Sequence, residues 1–285
     1  MPILIFLLCF ASSAFEVQGH RGARAVRPEN TLPAFQYAVE AGVDTLELDL
    51  AVTSDDHLVI SHDPFISPEH CNGPAGEKVP DNLMIRTMTV EKVESFDCGR
   101  KANKLFPKQQ HFPYTPIPKF TGLLKMLRQT PAGKKVHLNI ETKIYPGHPE
   151  WSPTPEKFVE LVLSAIKDVK DRTTIQSFDD RTLKLVKKRD PSIKTVLLTS
   201  DNHIDYVGAV KAAGADILSP NYEWIMEEDV AALHKEGIRV IPWTVNDDKA
   251  WAAMLRMKVD GIITDDPAAL LTYLKKHPVK SAASE

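Results

Sequence analysis

Long apolar runs, cysteine and concentrated positive charge are all scarce in this 285-residue chain, and each scarcity excludes a class of function. The apolar run at the start, residues 3–10, is far shorter than the roughly 20 residues a membrane-spanning helix needs, so no stable membrane anchor is expected. Of three cysteines, Cys9 lies inside that run. Cys71 and Cys98 remain, an even pair that suits a disulfide in an oxidising compartment or two free thiols in a reducing one. With a net charge of −3 and no Lys/Arg-rich run, the chain has nothing to draw nucleic acid. It shows no internal repeat and no basic or apolar surface helix of the kind that lies on lipid. A long-chain lipid substrate is therefore disfavoured, and attraction for a small anion must come from a few placed residues.

What the sequence does contain is a regular alternation of strand and helix patterns from residue 15 onward. Short apolar or β-branched runs fall at 15–18, 45–50, 136–140, 173–175, 194–198, 217–219, 239–243 and 261–264. Amphipathic segments at 31–41, 155–170, 180–189, 204–213, 227–236, 247–257 and 267–276 follow most of them. Eight such strands, in a length near the roughly 250 residues typical of the fold, predict an α/β architecture, the (β/α)8 TIM barrel. Gly42, Gly214 and Gly237 stand where left-handed helix C-caps belong. A further short run at 57–61 is expected to return antiparallel to the second strand after a turn. Residues 64–119 break the rhythm, are rich in Pro and Gly, hold both remaining cysteines and offer one helix-like piece at 89–96. They read as an insertion after the second strand, on the catalytic face.

The domain plan is then a signal peptide at 1–14, a single barrel domain at 15–278 and a polar tail at 279–285. The signal reading rests on an apolar run ending in Ser12-Ser13-Ala14, although Lys and Arg are missing ahead of it. It is preferred to an apolar strand packed under the barrel. It places the protein in the periplasm or outside the cell, with the cytoplasm as the location if the run is no signal.

Chemistry collects where strands end. Glu47 and Asp49 occupy positions i and i+2 of one strand, so both carboxylates face one side while Leu46, Leu48 and Leu50 face the other. Two carboxylates aimed into a fold are costly unless something cationic neutralises them, and a divalent metal is the simplest answer. His20-Arg21 ends the first strand, His62 the returning run, Glu141-Thr142-Lys143 the third strand, Trp243 the seventh and Asp265 the eighth. Gln176-Ser177-Phe178 lacks the glycines of a nucleophile elbow, so Ser177 is not read as a nucleophile. Asn30 is expected to cap the first helix, Glu29 to orient Arg21 or His20, and Arg86 to steady the loop after His62.

In order along the chain stand His20-Arg21-Gly22, Pro28-Glu29-Asn30-Thr31, Glu47-Leu48-Asp49, His62-Asp63, Arg86-Thr87, Glu141-Thr142-Lys143, Pro242-Trp243-Thr244-Val245-Asn246 and Thr264-Asp265-Asp266-Pro267. This ordered set resembles the glycerophosphodiester phosphodiesterase family, with Met88 standing where the family often has a second threonine. The resemblance implies metal-dependent cleavage of a small glycerophosphodiester to glycerol 3-phosphate and an alcohol, with Glu47, Asp49 and Glu141 as ligands to one Ca²⁺ or Mg²⁺. It implies phosphate binding by Arg21 and acid–base catalysis by His20 and His62, through a cyclic phosphate. Lys143 is expected on the phosphate or on Glu141, and Trp243 as a wall for the glycerol or a choline head group, or as core. A phospholipase D-like or phosphatidylinositol-specific phosphodiester lyase stopping at the cyclic phosphate is the alternative, and a non-catalytic binding module on the same barrel a second. Neither the alcohol moiety nor the oligomeric state is set by these residues.

Overall fold

The computed structural model describes residues 15–279, so the expected signal peptide and nearly all of the expected tail lie outside the described residues. Nine strands form: β1 Glu16–Gly19, β2 Thr45–Val52, β3 Leu58–Ile60, β4 His137–Thr142, β5 Thr173–Ser177, β6 Lys194–Thr199, β7 Ile217–Pro220, β8 Arg239–Val240 and β9 Gly261–Thr264. Eight are parallel, in the order β8-β7-β6-β5-β4-β2-β1-β9, and β3 runs antiparallel beside β2. Hydrogen bonds from Asp260 N to Val240 O, Ile263 N to Pro242 O and Val245 N to Ile263 O join the two ends. The result is the (β/α)8 barrel with an insertion after its second strand.

Local sequence explains the elements. Leu46, Leu48 and Leu50 of β2 are fully buried against the surrounding helices, while Glu47 and Asp49 take the alternate positions inside the barrel. Thr31, Thr154, Asp179, Asp205, Asp247 and Asp266 each accept a first-turn N–H and so start a helix directly after a strand–loop segment. Asn30 is therefore not the cap expected of it, because Thr31 takes that place. Gly42 and Gly214 close their helices at φ 92° and 67°. Two helices at Phe120–Leu127 and Pro131–Lys135 lead into β4 and were not among the expected elements. The helix starting at Pro155 ends at Ala165, earlier than its apolar spacing suggested. β8 stops at Val240, although bonds from Ile241 N to Leu218 O and Trp243 N to Pro220 O and a bridge between Asn221 and Trp243 carry its pairing with β7 further.

The insertion gathers its own apolar cluster, including Ile66, Val79, Ile85, Val90, Val93, Phe96 and Ile117, around a Cys71–Cys98 disulfide. Met88 is 8 % exposed and packs there, so the departure from the family pattern fills the insertion core rather than the catalytic mouth. Arg86 holds Thr53 O and Asp56, which steadies the turn between β2 and β3.

Candidate active site

The C-terminal ends of the strands bring the sequence-separated residues together. β1 delivers His20 and Arg21 through a tight turn in which Gly22 N bonds Gly19 O. Gly22 sits at φ 86°, and a Cβ there would meet the Ala34 backbone at 2.7 Å, so only glycine lets this turn lie against the first helix. Glu47 and Asp49 point inward from β2, and Asp49 stands in register with Glu141 of β4. Suitable ligand oxygens of Glu47, Asp49 and Glu141 all lie within 4.8 Å of one another, and all three residues are buried. Among the described residues, no other group of His, Cys, Asp or Glu meets that geometry.

Three buried acids this close need opposite charge. Lys143 Nζ lies 3.0 Å from Asp49 and 2.8 Å from Glu141, so it bridges the two. Arg21 Nε lies 3.4 Å from Asp49. Burial would raise the Asp49 carboxyl, but Lys143, His62 and Arg21 outweigh it and hold it well below the usual range. Burial and the neighbouring Asp49 push Glu47 well above its ordinary value, and burial also raises Glu141 against the pull of Lys143. Two cations thus serve three acids, and an all-oxygen set of carboxylates fits a hard divalent cation. A buried carbonyl, Asn30 Oδ1, has no partner while its Nδ2 donates to Asp49 at 2.8 Å.

His20 is held from behind. Its Nδ1–H donates to Asp265 at 2.5 Å, and Asp265 also accepts from Arg24 at 2.8 Å and from Asn246 at 2.7 Å. His20 Nε2 then points toward Glu47, 4.0 Å away. Burial lowers the His20 imidazole to about 4 despite the Asp265 charge. Burial opposes ionisation of Asp265, yet His20 and Arg24 hold it at about 2, so it is a carboxylate. His62 closes the other side; its Nδ1 meets Asp63 at 2.8 Å, and Tyr145 donates to its carbonyl at 3.4 Å.

Arg21 donates to Glu29 at 2.6 Å, its backbone N–H donates to Glu47 at 2.8 Å, and its Nε is buried without a hydrogen-bond partner. Glu29 therefore orients Arg21, as one expectation had it. Trp243 spends its indole N–H on Ser219 O at 2.9 Å and meets the Phe178 ring edge-on, 5.7 Å between centroids. Ser177 is fully buried and donates to Thr142 O, which removes it as a nucleophile.

Asp265 as the partner of His20, Gln176 as a donor to Glu47 at 2.7 Å and Asn30 as a donor to Asp49 had not been recognised. One signal was available: β1 and β9 are the first and last strands of a closed barrel, hence neighbours, and His20 and Asp265 each follow their strand directly.

The sequence profile of the glycerophosphoryl diester phosphodiesterase family matches residues 20–269. The chain belongs to this family. Glycerophosphoryl diester phosphodiesterases similar to it include a glycerophosphodiester phosphodiesterase of Caldanaerobacter subterraneus subsp. tengcongensis, 31 % identical over 266 residues, or 91 % of this chain and 98 % of that one. A crystal structure from Silicibacter pomeroyi that carries the family's name is 27 % identical, with a TM-score of 0.86 over 93 % of this chain and 94 % of that chain. An Oleispira antarctica phosphodiesterase, solved in complex with the product sn-glycerol-3-phosphate, shares the fold at 20 % identity and a TM-score of 0.76, covering 91 % and 96 %. As a member of this family the chain is a phosphodiesterase acting on a small phosphodiester.

Proposed function

We propose that this enzyme hydrolyses glycerophosphodiesters to glycerol 3-phosphate and an alcohol with the help of one Ca²⁺ or Mg²⁺. The observation that carries the reading is the convergence of Glu47, Asp49 and Glu141 with His20 on one side and His62 on the other. The three carboxylates would hold the cation, which would supply positive charge beside the phosphate. Arg21 offers a planar, permanently charged fork to the phosphate, and its Nε, close to Asp49, makes no hydrogen bond of its own. Lys143, already bridging two of the acids, sets their spacing and adds charge beside the phosphate. His20 exchanges a proton at Nε2, because Asp265 occupies Nδ1 and fixes the ring. His62 exchanges the second proton from the opposite wall. One takes the proton of the glycerol hydroxyl as it attacks phosphorus, and the other supplies a proton to the departing alcohol. The cyclic phosphate so formed is opened by water with the two roles reversed. Trp243 and Phe178 make an apolar wall for the glycerol carbons.

The test is to strip the full chain of metal, add glycerophosphocholine with and without Ca²⁺ or Mg²⁺, and assay glycerol 3-phosphate. Release only with cation is expected, and release undiminished in excess chelator would sink the metal reading. A cyclic product that accumulates would move the enzyme to the lyase class. His62→Ala should lower kcat by about 10² to 10⁴-fold, the usual contribution of general acid–base catalysis, with the melting temperature nearly unchanged.

A further inference from the structure

Between the barrel mouth and the insertion the chain leaves a cavity of about 50 Å³, room for about four water-sized groups. Segments 28–31 and 60–63 form its barrel side, and the insertion, with the Cys71–Cys98 disulfide in the wall, forms the other. Gln109, also in that wall, donates to Arg24 O at 2.6 Å and to Arg27 O at 2.9 Å. These bonds tie the insertion to the segment that carries His20 and Arg21, so the cavity is already shaped before a ligand enters.

Its position relative to the phosphate follows from the order of the strands. His62 borders the cavity, on the side of the barrel where β1 and β2 lie next to each other. Trp243 and Phe178 meet on the opposite side, across β6 and β7, because they follow β8 and β5, which flank that pair. Attacking and leaving oxygens lie roughly in line through phosphorus. A glycerol held against Trp243 therefore leaves the departing alcohol on the His62 side, in the cavity. This placement rests on the proposed hydrolysis of glycerophosphodiesters at the site.

The wall then selects the alcohol. Asn30 lines the cavity and is 5 % exposed. Its Nδ2 donates to the Asp49 carboxylate, which can only accept, so the amide cannot be reversed and its Oδ1 is left without a partner. A hydroxyl in the cavity would satisfy that oxygen, and a methyl group would not. Lys101, in the same wall, donates to Pro68 O at 2.5 Å and among the described residues has no ion-pair partner. The acids there are already engaged, Glu29 by Arg21 at 2.6 Å and Asp63 by His62 at 2.8 Å, and the other titratable wall residue, His70, adds no negative charge. A choline or ethanolamine group would set its cation against the Lys101 ammonium. A quaternary ammonium also seeks aromatic faces, yet Phe65 is the single Phe, Tyr or Trp among the described lining residues.

We propose that this cavity receives the departing alcohol and selects a neutral, hydroxylated one of about glycerol's size, with Asn30 Oδ1 accepting from a hydroxyl and Lys101 acting against cationic head groups. The insertion thereby sets which diester is cleaved, while the barrel residues carry the chemistry common to all of them.

The experiment compares kcat/KM of the full chain, with Ca²⁺ or Mg²⁺ added, on three diesters that share the product glycerol 3-phosphate. Glycerophosphoglycerol carries hydroxyls, glycerophosphopropanol carries neither hydroxyl nor charge on its alcohol, and glycerophosphocholine carries a cation. Glycerophosphoglycerol should be favoured over each of the others by about tenfold or more. Lys101→Glu should raise kcat/KM for glycerophosphocholine and lower it for glycerophosphoglycerol, moving their ratio by about tenfold. A purely structural role for Lys101 would lower both together. Lys101→Met should move the ratio the same way by a smaller factor, and it decides the matter if the charge reversal does not fold. Equal turnover of the three diesters, or a preference for the choline diester, overturns the inference and leaves the reading of the site standing. A ratio unchanged in both Lys101 variants overturns it as well. No turnover of any diester overturns the reading of the site, and the inference with it.

Discussion

His20 is the residue whose surroundings say most about pH. In the unfolded chain its imidazole has the ordinary value of 6.5, and burial in the native site brings it to about 4. Between those values the unfolded state binds a proton that the native state refuses, so stability falls as pH drops through this window. The contribution is fully present above about 6.5 and is lost progressively toward 4, by about 3 kcal/mol at the lower end. Denaturant unfolding of the metal-stripped protein between pH 7 and 4 should show this slope, and His20→Gln should flatten it. A slope identical in both would place the acid sensitivity elsewhere. Legibility at this scale was uneven. His20, Arg21, Glu47, Asp49, His62, Glu141 and Lys143 all converge, because each follows or occupies a strand whose end could be counted. Asn30 and Gln176 did not announce themselves, because amides serving buried acids look in sequence like any other loop or strand polar residue. Their role exists only once β2, β4 and β5 are side by side.

At the scale of elements, repeated strand–helix units were readable because polar and apolar positions alternate on a fixed period, and caps such as Thr154 and Asp247 mark the joins. The helix Phe120–Leu127 escaped although Phe120, Leu123, Leu124 and Leu127 keep helical spacing, since it directly follows a Pro-rich stretch and is only eight residues long. The insertion had no period to betray its packing, and long-range pairings such as Asn72 with Asp97 decide its shape. The Cys71–Cys98 bridge encloses the stretch from Cys71 to Cys98, a separation of 27. Closing a loop of that length stabilises by about 3 to 4 kcal/mol in the chain-entropy description. Cys71→Ser/Cys98→Ser should therefore raise protease sensitivity within the insertion first. The barrel's hydrogen-exchange protection should be largely kept. Equal loss of protection in barrel and insertion would show that the two unfold together.

At the scale of the whole molecule, Glu47, Asp49 and Glu141 meet at the barrel mouth in a geometry that could hold a divalent cation. A ligand that binds only the native state raises stability by mass action, about 2.7 kcal/mol at a hundredfold excess over its dissociation constant. Added Ca²⁺ or Mg²⁺ should raise the melting temperature, and Glu141→Gln should reduce the rise; a cation effect equal in both would remove Glu141 from the set. Below the mouth, a row of amides runs through the barrel. Gln176 donates to Glu47, Asn139 donates to both Gln176 and Gln18, and Gln18 donates to Glu16, itself held by Arg239. With a carboxylate accepting at each end, no amide in the row can be turned without setting two oxygens or two N–H groups against each other. Donation runs outward from Asn139 in both directions, and a carboxylate pins each extreme. Glu16→Gln frees the far pin, so cation affinity measured by calorimetry should change at Glu47 although no atom near the mouth has been touched.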